Sequence, residues 1–102
     1  MNRGEIWWFE EPERGRRPVC VLTRQEAIPV LRRVVVAPAT RTIRGIATEV
    51  ALSSLDGMPE PCVLSLDNVR TVSRALLVHR ITALSQPRMR EVCTALNLAL
   101  GC

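Results

Sequence analysis

The sequence predicts a mainly β fold of the α+β class, a small, strongly bent antiparallel β-barrel with one C-terminal α-helix. Two observations support this prediction. Short, β-branched apolar runs separated by turns that contain Gly or Pro recur along most of the chain, whereas helical periodicity is found only near its end. With 102 residues, the chain is expected to form one domain, residues 1–102, around a single core.

The first two strands are predicted on either side of a charged loop. Residues 4–9 are predicted as the first strand, in which the bulky run of residues 6–9 includes both tryptophans, and residues 10–16 are polar and rich in charge. Because proline brings no N–H to a sheet ladder, Pro18 is predicted to begin the second strand, which continues to about Thr23. Arg17 is therefore expected where a mobile cationic loop meets a rigid strand.

The third strand is predicted over residues 33–37, where a second β-branched run occurs. Pro38 is expected to end this strand, which leaves Thr40 at its exit and well placed to face a cleft. Residues 41–48 are polar, basic and interrupted by a glycine, so they are predicted to form a loop or an exposed hairpin arm. A short alternating strand is predicted over residues 49–52.

The C-terminal half is predicted to contain two further strands. Residues 53–61 have the Asp-Gly and proline content of a turn, and residues 62–69 follow as a strand that carries Asp67 and Asn68 near its end. After a brief coil, the last strand is predicted over residues 78–84.

A single helix is predicted after Ser85. Ser85 fits an N-cap, Pro87 lies in the first turn where its missing N–H is harmless, and Gly101 closes the helix. Five side chains share one apolar face at helical spacing: Met89, Val92, Cys93, Leu96 and Leu100.

The charge composition favours a nucleic-acid partner. All 14 basic side chains are arginine, the net charge is +4, and nine of the arginines precede residue 45. Arginine suits forked contacts to phosphate and stacking on bases. A genome that encodes arginine where others encode lysine is the alternative explanation, and composition leaves it open. No apolar run approaches the roughly 18 residues that would cross a bilayer, which predicts a cytoplasmic protein without a membrane partner.

The cysteines do not form a metal-binding pattern. Cys20, Cys62, Cys93 and Cys102 are widely separated, and His79 is the one histidine. We expect structural thiols and no metal or other cofactor. On sequence alone, His79 is expected to lie away from the catalytic residues.

Four segments in order resemble the MazF/PemK toxin family: Arg3-Gly4-Glu5-Ile6-Trp7-Trp8, Arg17-Pro18-Val19-Cys20-Val21-Leu22, Val34-Val35-Val36-Ala37-Pro38-Ala39-Thr40 and Asp67-Asn68-Val69-Arg70-Thr71-Val72. The resemblance implies a homodimer of SH3-like barrels that cuts single-stranded RNA at short sequences without a metal. It also implies inhibition by a cognate MazE-like antitoxin.

The resemblance also assigns roles by position. Arg17 matches the family's catalytic arginine, and Thr40 matches the threonine or serine that works with it. Asp67 and Asn68 occupy the place of a pair that contacts RNA bases. The chain departs from the family pattern in its short loop before Arg17, which has no glutamine or histidine, and at Ser65, where the PemK branch has an arginine.

The residue chemistry is consistent with those roles. In metal-free cleavage, the RNA's own 2′-OH attacks the adjacent phosphorus, and the negative charge that grows on the non-bridging oxygens must be stabilised. Arg17 can supply that stabilisation and Thr40 a neutral hydrogen bond. The base is left open, since Asp67 is equally well explained as a turn carboxylate. Other candidate RNA contacts line the expected groove: Arg14, Arg16, Pro18, Arg41 and Arg44.

Several alternatives remain at this point. Arg17 could simply pair with Glu11 or Glu13 on the surface. The two tryptophans could form a base-stacking pair, although core packing is favoured. The same scaffold could carry a CcdB-like poison of gyrase, a function associated with a C-terminal tryptophan that this chain lacks. Ser65 and the short loop could instead indicate a non-catalytic RNA-binding barrel.

Overall fold

A computed structural model describes all residues, 1–102, and contains seven strands, three 3₁₀ turns and one helix. The elements are β1 Glu5–Glu11, β2 Gly15–Val21, β3 Arg33–Thr40, β4 Glu49–Leu52, β5 Cys62–Ser65, β6 Arg70–Ser73, β7 Leu77–Ala83 and α1 Gln86–Leu100, with 3₁₀ turns at Ser54–Asp56, Leu66–Asn68 and Arg74–Leu76. The predicted fold class, mainly β with a C-terminal helix, is confirmed.

All strand pairs are antiparallel, and the sheet runs in the order β4-β5-β3-β2-β1-β7, with β6 also paired to β3. The sheet does not close between its edge strands β4 and β7. Strands β5 and β6 share one edge of β3, where Ala39 pairs with Leu64 and Val36 pairs with Arg70. Between these two pairs, β3 contains two residues, whereas the chain that joins β5 to β6 contains five, residues 65–69. The three extra residues form the 3₁₀ turn Leu66–Asn68.

The hairpin between β1 and β2 is longer than the sequence predicts. The strands pair as far as Glu11 and Gly15, so the turn contains only residues 12–14, and Gly15 adopts a φ of 78° there. Pro18 lies inside β2 opposite Trp8, and the prediction that it begins the strand is wrong. Because β3 pairs with β2 only from Val19 onward, the missing N–H interrupts no ladder on that side.

Two further strand predictions are corrected. Strand β3 continues through Pro38 to Thr40, because beyond Pro38 it pairs with β5 instead of β2. The strand predicted over residues 62–69 ends at Ser65, so Asp67 and Asn68 lie on a 3₁₀ turn. Strand β6, which follows this turn, was not predicted.

The core consists of two clusters on opposite faces of the bent sheet. One packs Ile6, Cys20 and Leu64 against Val92 and Ala95 of α1. The other groups eight residues: Phe9, Val19, Val21, Ile28, Val34, Val36, Val72 and Leu77. Together they fix β2 and β3 from both faces.

The predicted helix and both of its caps are confirmed. Ser85 Oγ accepts the N–H of Arg88 at 3.3 Å, and Gly101 caps the C-terminus in the left-handed conformation with a φ of 73°. Leu100 was predicted on the buried face but is 60% exposed. It lies about 80° around the helix from Val92, while Ala95 takes the buried position.

The four cysteines are free thiols. Cys20 and Cys62 are buried, Cys93 is half-buried and Cys102 is exposed. Burial raises the pKa of Cys20 to about 12, so this thiol stays protonated at neutral pH. No helix combines the length and apolar character needed to cross a bilayer.

Candidate active site

The site is formed where the β1–β2 hairpin separates from β3. The last pair between β2 and β3 joins Val19 to Pro38, whereas β1 and β2 stay paired to the end of the hairpin. We call the projecting part, residues 9–17, the arm. Beyond Pro38, Ala39 and Thr40 turn toward β5. A cleft therefore opens between the arm and the end of β3.

Two grooves meet in this cleft, and Arg17, Ala39 and Thr40 line both of them. The Trp8 groove, about 580 Å³, is completed by Trp8, Arg16, Pro18, Arg41, Met58, Pro59, Glu60 and Cys62. The Arg70 groove, about 460 Å³, is completed by Phe9, Val19, Pro38, Thr42, Arg44, Glu49, Ser65, Asn68 and Arg70. The two residues predicted to be catalytic thus lie at the junction of both grooves.

Arg17 projects from β2, opposite Phe9 of β1, and is exposed. Its guanidinium makes no hydrogen bond or ion pair within the chain. The alternative of pairing with Glu11 is not found, because Arg70 binds that carboxylate through two hydrogen bonds of 3.2 and 3.3 Å. All five donors of Arg17 are therefore available to a ligand.

Thr40 is half-buried at the last position of β3, where its backbone pairs with Val63 of β5. Its Oγ accepts the backbone N–H of Thr42 at 3.1 Å. Because that contact uses a lone pair, the hydroxyl proton can still be donated to a ligand in either groove.

The other predicted arginines differ in how they are held. The Arg16 guanidinium lies over the Trp8 ring, 4.4 Å from its centroid. Arg41 pairs with Glu60 at 3.1 Å, and the side chain of Arg44 has no partner. Arg14 lies at the hairpin turn and lines neither groove.

The structure separates the predicted pair Asp67 and Asn68. Asn68 lines the Arg70 groove and donates Nδ2–H to Ser65 Oγ at 2.7 Å. Asp67 lines neither groove, and its carboxylate accepts the hydroxyl of Thr48. This contact ties the 3₁₀ turn to the loop of residues 41–48. His79 is exposed on β7 and also lines neither groove.

Sequence reasoning missed two charged residues of the Arg70 groove. Arg70 lies on the unpredicted strand β6, where it pairs with Glu11 and lies over Phe9, 5.3 Å from the ring centroid. Glu49 accepts the backbone N–H groups of Arg44 and Gly45 at 3.1 and 3.0 Å. Only Val72 of this four-residue strand is buried, so the sequence offered no alternating pattern by which to find it.

The electrostatic balance of the cleft is positive. Arg16, Arg17 and Arg44 have no carboxylate partner, whereas Arg41 and Arg70 each have one. No three His, Cys, Asp or Glu side chains converge as metal ligands would. The arrangement can bind a phosphate backbone and stabilise negative charge at the point where the two grooves meet.

Comparison with known proteins decides the family. Residues 2–100 match the family described as the PemK-like, MazF-like toxin of type II toxin–antitoxin systems. The chain belongs to this family. A probable endoribonuclease, MazF5 of Mycobacterium tuberculosis (strain ATCC 25618 / H37Rv), is 54% identical over 101 residues, which cover 98% of this chain and 93% of the relative.

Solved structures of MazF proteins share the fold. The Mycobacterium tuberculosis toxin MazF-mt6 has a TM-score of 0.87 and 34% identity, covering 95% of this chain and 96% of that one. An endoribonuclease solved with its cognate antitoxin, from a mycobacterial species, has a TM-score of 0.90 and 25% identity, covering 99% and 95%. The predicted membership of the MazF/PemK family is confirmed.

Proposed function

We propose that this MazF/PemK toxin is a metal-independent endoribonuclease that cleaves single-stranded RNA in the cleft between the arm and β3, with residues 1–102 acting as one cytoplasmic domain. One observation carries the assignment: Arg17, whose guanidinium has no partner, and Thr40 both line the junction of two positively charged grooves. Relatives named as endoribonucleases support RNA, and not gyrase, as the target.

The reaction follows from the substrate's own chemistry. The 2′-oxygen attacks the adjacent phosphorus, the P–O2′ bond forms and the P–O5′ bond breaks. Negative charge grows on the non-bridging oxygens, where Arg17 donates a charged fork and Thr40 a neutral hydrogen bond. One proton leaves the 2′-OH and another reaches O5′. Because a guanidinium offers hydrogen-bond donors and no acceptor, Arg17 is assigned to charge stabilisation and not to the base.

The decisive experiment is cleavage in excess EDTA. We expect purified protein to cut single-stranded RNA under these conditions and to leave a 2′,3′-cyclic phosphate and a 5′-OH, measured by end-group analysis of the fragments. A substrate with a single 2′-deoxy nucleotide at the cut position should resist cleavage, because the nucleophile is gone. Arg17→Ala protein purified in parallel controls for contaminating ribonucleases.

Two results would contradict the assignment. Activity that appears only with added divalent ions would reject the metal-free mechanism. Binding of the same RNA at high affinity with no cleavage would favour the non-catalytic RNA-binding alternative. Mapping the 5′ ends of the fragments supplies the sequence that is cut.

A second part of the proposal concerns partners. The unpaired Arg16, Arg17 and Arg44 offer a field that fits an acidic, extended segment of a cognate MazE-like antitoxin as well as RNA. The related endoribonuclease solved with its cognate antitoxin supports such a partner. We infer a homodimer, because a small domain with one bent sheet offers little concave surface and a groove shared by two copies would hold several nucleotides.

Competition tests this arrangement. A non-cleavable RNA analogue and the antitoxin should displace one another, and both affinities should fall as salt rises. Light scattering at micromolar concentration should give the mass of a dimer. A ternary complex in which antitoxin fills both clefts and RNA binds with unchanged affinity would place inhibition on another surface.

A further inference from the structure

The Trp8 groove contains an arginine that is held by an aromatic ring instead of an acid. The Arg16 guanidinium lies over the Trp8 ring at 4.4 Å from Cζ to the centroid, and it makes no hydrogen bond or ion pair. Arg41 in the same groove shows the ordinary alternative, since it is bound to Glu60 at 3.1 Å. A cation over an indole keeps its orientation without using its N–H donors. The Arg16 guanidinium is thus held in place while its N–H donors remain free for a ligand.

The strand register places this pair beside the reaction centre. Glu10 faces Arg16 and Trp8 faces Pro18 across the β1–β2 hairpin, so Arg16 and Trp8 are diagonal neighbours on one face of this hairpin. Arg17, the next residue, and Thr40 line the same groove. A nucleotide adjacent to the scissile phosphate would therefore pass over the stacked pair.

The two tryptophans have different environments, which separates their roles. Trp7 donates its indole N–H to Glu5 at 3.0 Å and packs against the core cluster that contains Phe9. The indole of Trp8 makes no hydrogen bond, and the residue lines the groove. The polar atom of Trp7 is bound within the fold, whereas the ring of Trp8 lies under the Arg16 guanidinium at the groove.

We propose that the Trp8–Arg16 stack is a nucleobase-binding subsite of the endoribonuclease. One base of the RNA lies on the outer face of the Arg16 guanidinium, which the indole supports from below, and the edge N–H groups of Arg16 reach the neighbouring phosphate. Planar, weakly hydrated guanidinium groups stack on bases as well as on aromatic rings. This inference rests on the proposed function, because it assumes that RNA occupies the cleft.

The subsite should accept any base but favour purines, because stacking strength grows with the area of the π face and carries little hydrogen-bond information. It would act on binding and on the placement of the nucleotide chain, while Arg17 and Thr40 act on the phosphate.

A scan with abasic oligonucleotides tests the subsite. The probe is a single-stranded oligonucleotide of the mapped cut sequence with a 2′-deoxy nucleotide at the cut position, carrying one abasic site at each position in turn. For the unsubstituted protein, we expect one position near the cut to lose on the order of tenfold in affinity. Trp8→Leu and Arg16→Gln should abolish this loss and leave the effects at other positions unchanged.

Arg41→Ala is the matched control, because Arg41 lines the same groove without touching a ring. It should weaken binding of all oligonucleotides alike and preserve the position-specific loss. Arg16→Gln alters an exposed side chain, so it keeps the test valid if Trp8→Leu does not fold.

Tryptophan fluorescence gives an independent measurement. Trp7→Phe leaves Trp8 as the one tryptophan, and its emission should change on addition of the oligonucleotide, less so with the critical abasic probe. In Trp8→Leu, the remaining Trp7 emission should not respond. An identical abasic profile in wild type, Trp8→Leu and Arg16→Gln would overturn the subsite, as would a Trp8 response to antitoxin but not to RNA.

The proposed function can fail separately from the subsite. Absence of cleavage and of RNA binding in the wild-type protein would reject the nuclease assignment and the subsite with it. Normal cleavage with an unchanged abasic profile in the variants would reject the subsite alone.

Discussion

Arginines in two regions of this molecule differ in how completely they are paired. Where α1 meets the turn after β4, Arg88 binds Asp56 at 2.8 Å and Glu91 at 2.9 Å, and the Asp56 side chain is only 9% exposed. In the cleft, Arg16, Arg17 and Arg44 have no carboxylate partner at all. Both regions are rich in charge, but the fold pairs Arg88 with two carboxylates and leaves three arginines of the cleft without one.

The difference indicates which charges serve stability and which serve a ligand. At the helix end, burial raises the pKa of Asp56, but hydrogen bonds from Arg88 and from the Ser53 N–H lower it by more, so the net shift is downward. That carboxylate stabilises the native state. The unpaired arginines of the cleft repel one another and offer no such gain, which is expected if a polyanion supplies the missing charge.

Substitution of Arg17 should give the largest effect and should leave stability intact. We expect Arg17→Ala to lower the cleavage rate on the order of a hundredfold or more, because a charged donor to the transition state is lost. The free energy of unfolding should change by less than about 0.5 kcal/mol, since no contact within the chain is broken. Single-turnover cleavage and denaturant titration measure the two quantities.

Arg24→Ala is the control, because Arg24 is exposed, outside both grooves and only loosely paired with Glu26 at 3.8 Å. It should leave cleavage near the wild-type rate. If Arg17→Ala cleaved RNA at the wild-type rate, Arg17 would have no role in the mechanism, and its lack of a partner would not indicate a ligand site.

Arg88→Ala should show the reverse pattern, with stability lost and the chemistry of the cleft unchanged. Removing a charged hydrogen-bond partner from the largely buried Asp56 should lower the free energy of unfolding by about 2 kcal/mol. Arg90→Ala on the same helix, where the side chain is exposed and unpaired, should cost less than about 0.5 kcal/mol. Equal losses in the two variants would show that the Asp56 pair does not stabilise the fold.

Acid pH should narrow the gap between wild type and Arg88→Ala. The pKa of Asp56 is lowered in the folded protein from an ordinary value of 3.8, so its contribution is fully present above that value and is lost as pH falls through the folded-state pKa. Stability curves at pH 7 and below about 3.8 test this. A gap that stays constant to the lowest pH would assign the loss to packing instead of charge.

The smallest effect, a modest change in both stability and RNA affinity, is expected at the partly exposed pair of Arg70 and Glu11, an arginine of the cleft that does have a carboxylate partner. Glu11→Gln should lower stability by at most about 1 kcal/mol. Because it frees Arg70 inside the groove, RNA affinity should rise slightly, and the slope of log affinity against log salt should steepen by up to about 0.7. Glu26→Gln, outside both grooves, should alter neither; an unchanged slope in Glu11→Gln would exclude Arg70 from the RNA site.

Sequence patterns predicted the parts of the fold that depend on local burial and capping. The apolar runs around Ile6, Val21 and Val36 became buried strands, and Ser85 began the helix as its side-chain chemistry requires. The errors concern the partners of each strand. A proline interrupts strand pairing only where a neighbouring strand would accept a hydrogen bond from its missing N–H. The sequence around Pro18 and Pro38 does not show which strand lies on that side.

The resemblance to the family correctly predicted which residues of β2 and β3 line the cleft. It did not predict the positions of residues that are oriented by their side-chain partners. Arg17 and Thr40 were both brought to the cleft. Asp67 was placed outside it, because the excess length opposite β3 turns this residue toward Thr48. Arg70 was missed since its strand follows that same irregular turn, which breaks the two-residue period on which strand prediction depends.

The pairing of β1 with β7 has a consequence for how the toxin is made. Strand β1 is synthesised early and finds β2 at once, but its other edge pairs with β7, where Glu5 meets Ala83. Until β7 leaves the ribosome, the most aromatic strand of the chain keeps an open edge to which other nascent chains could add. Such distant pairing also slows folding relative to a helical protein of the same size. A newly made chain therefore spends its most aggregation-prone period before its last strand has emerged.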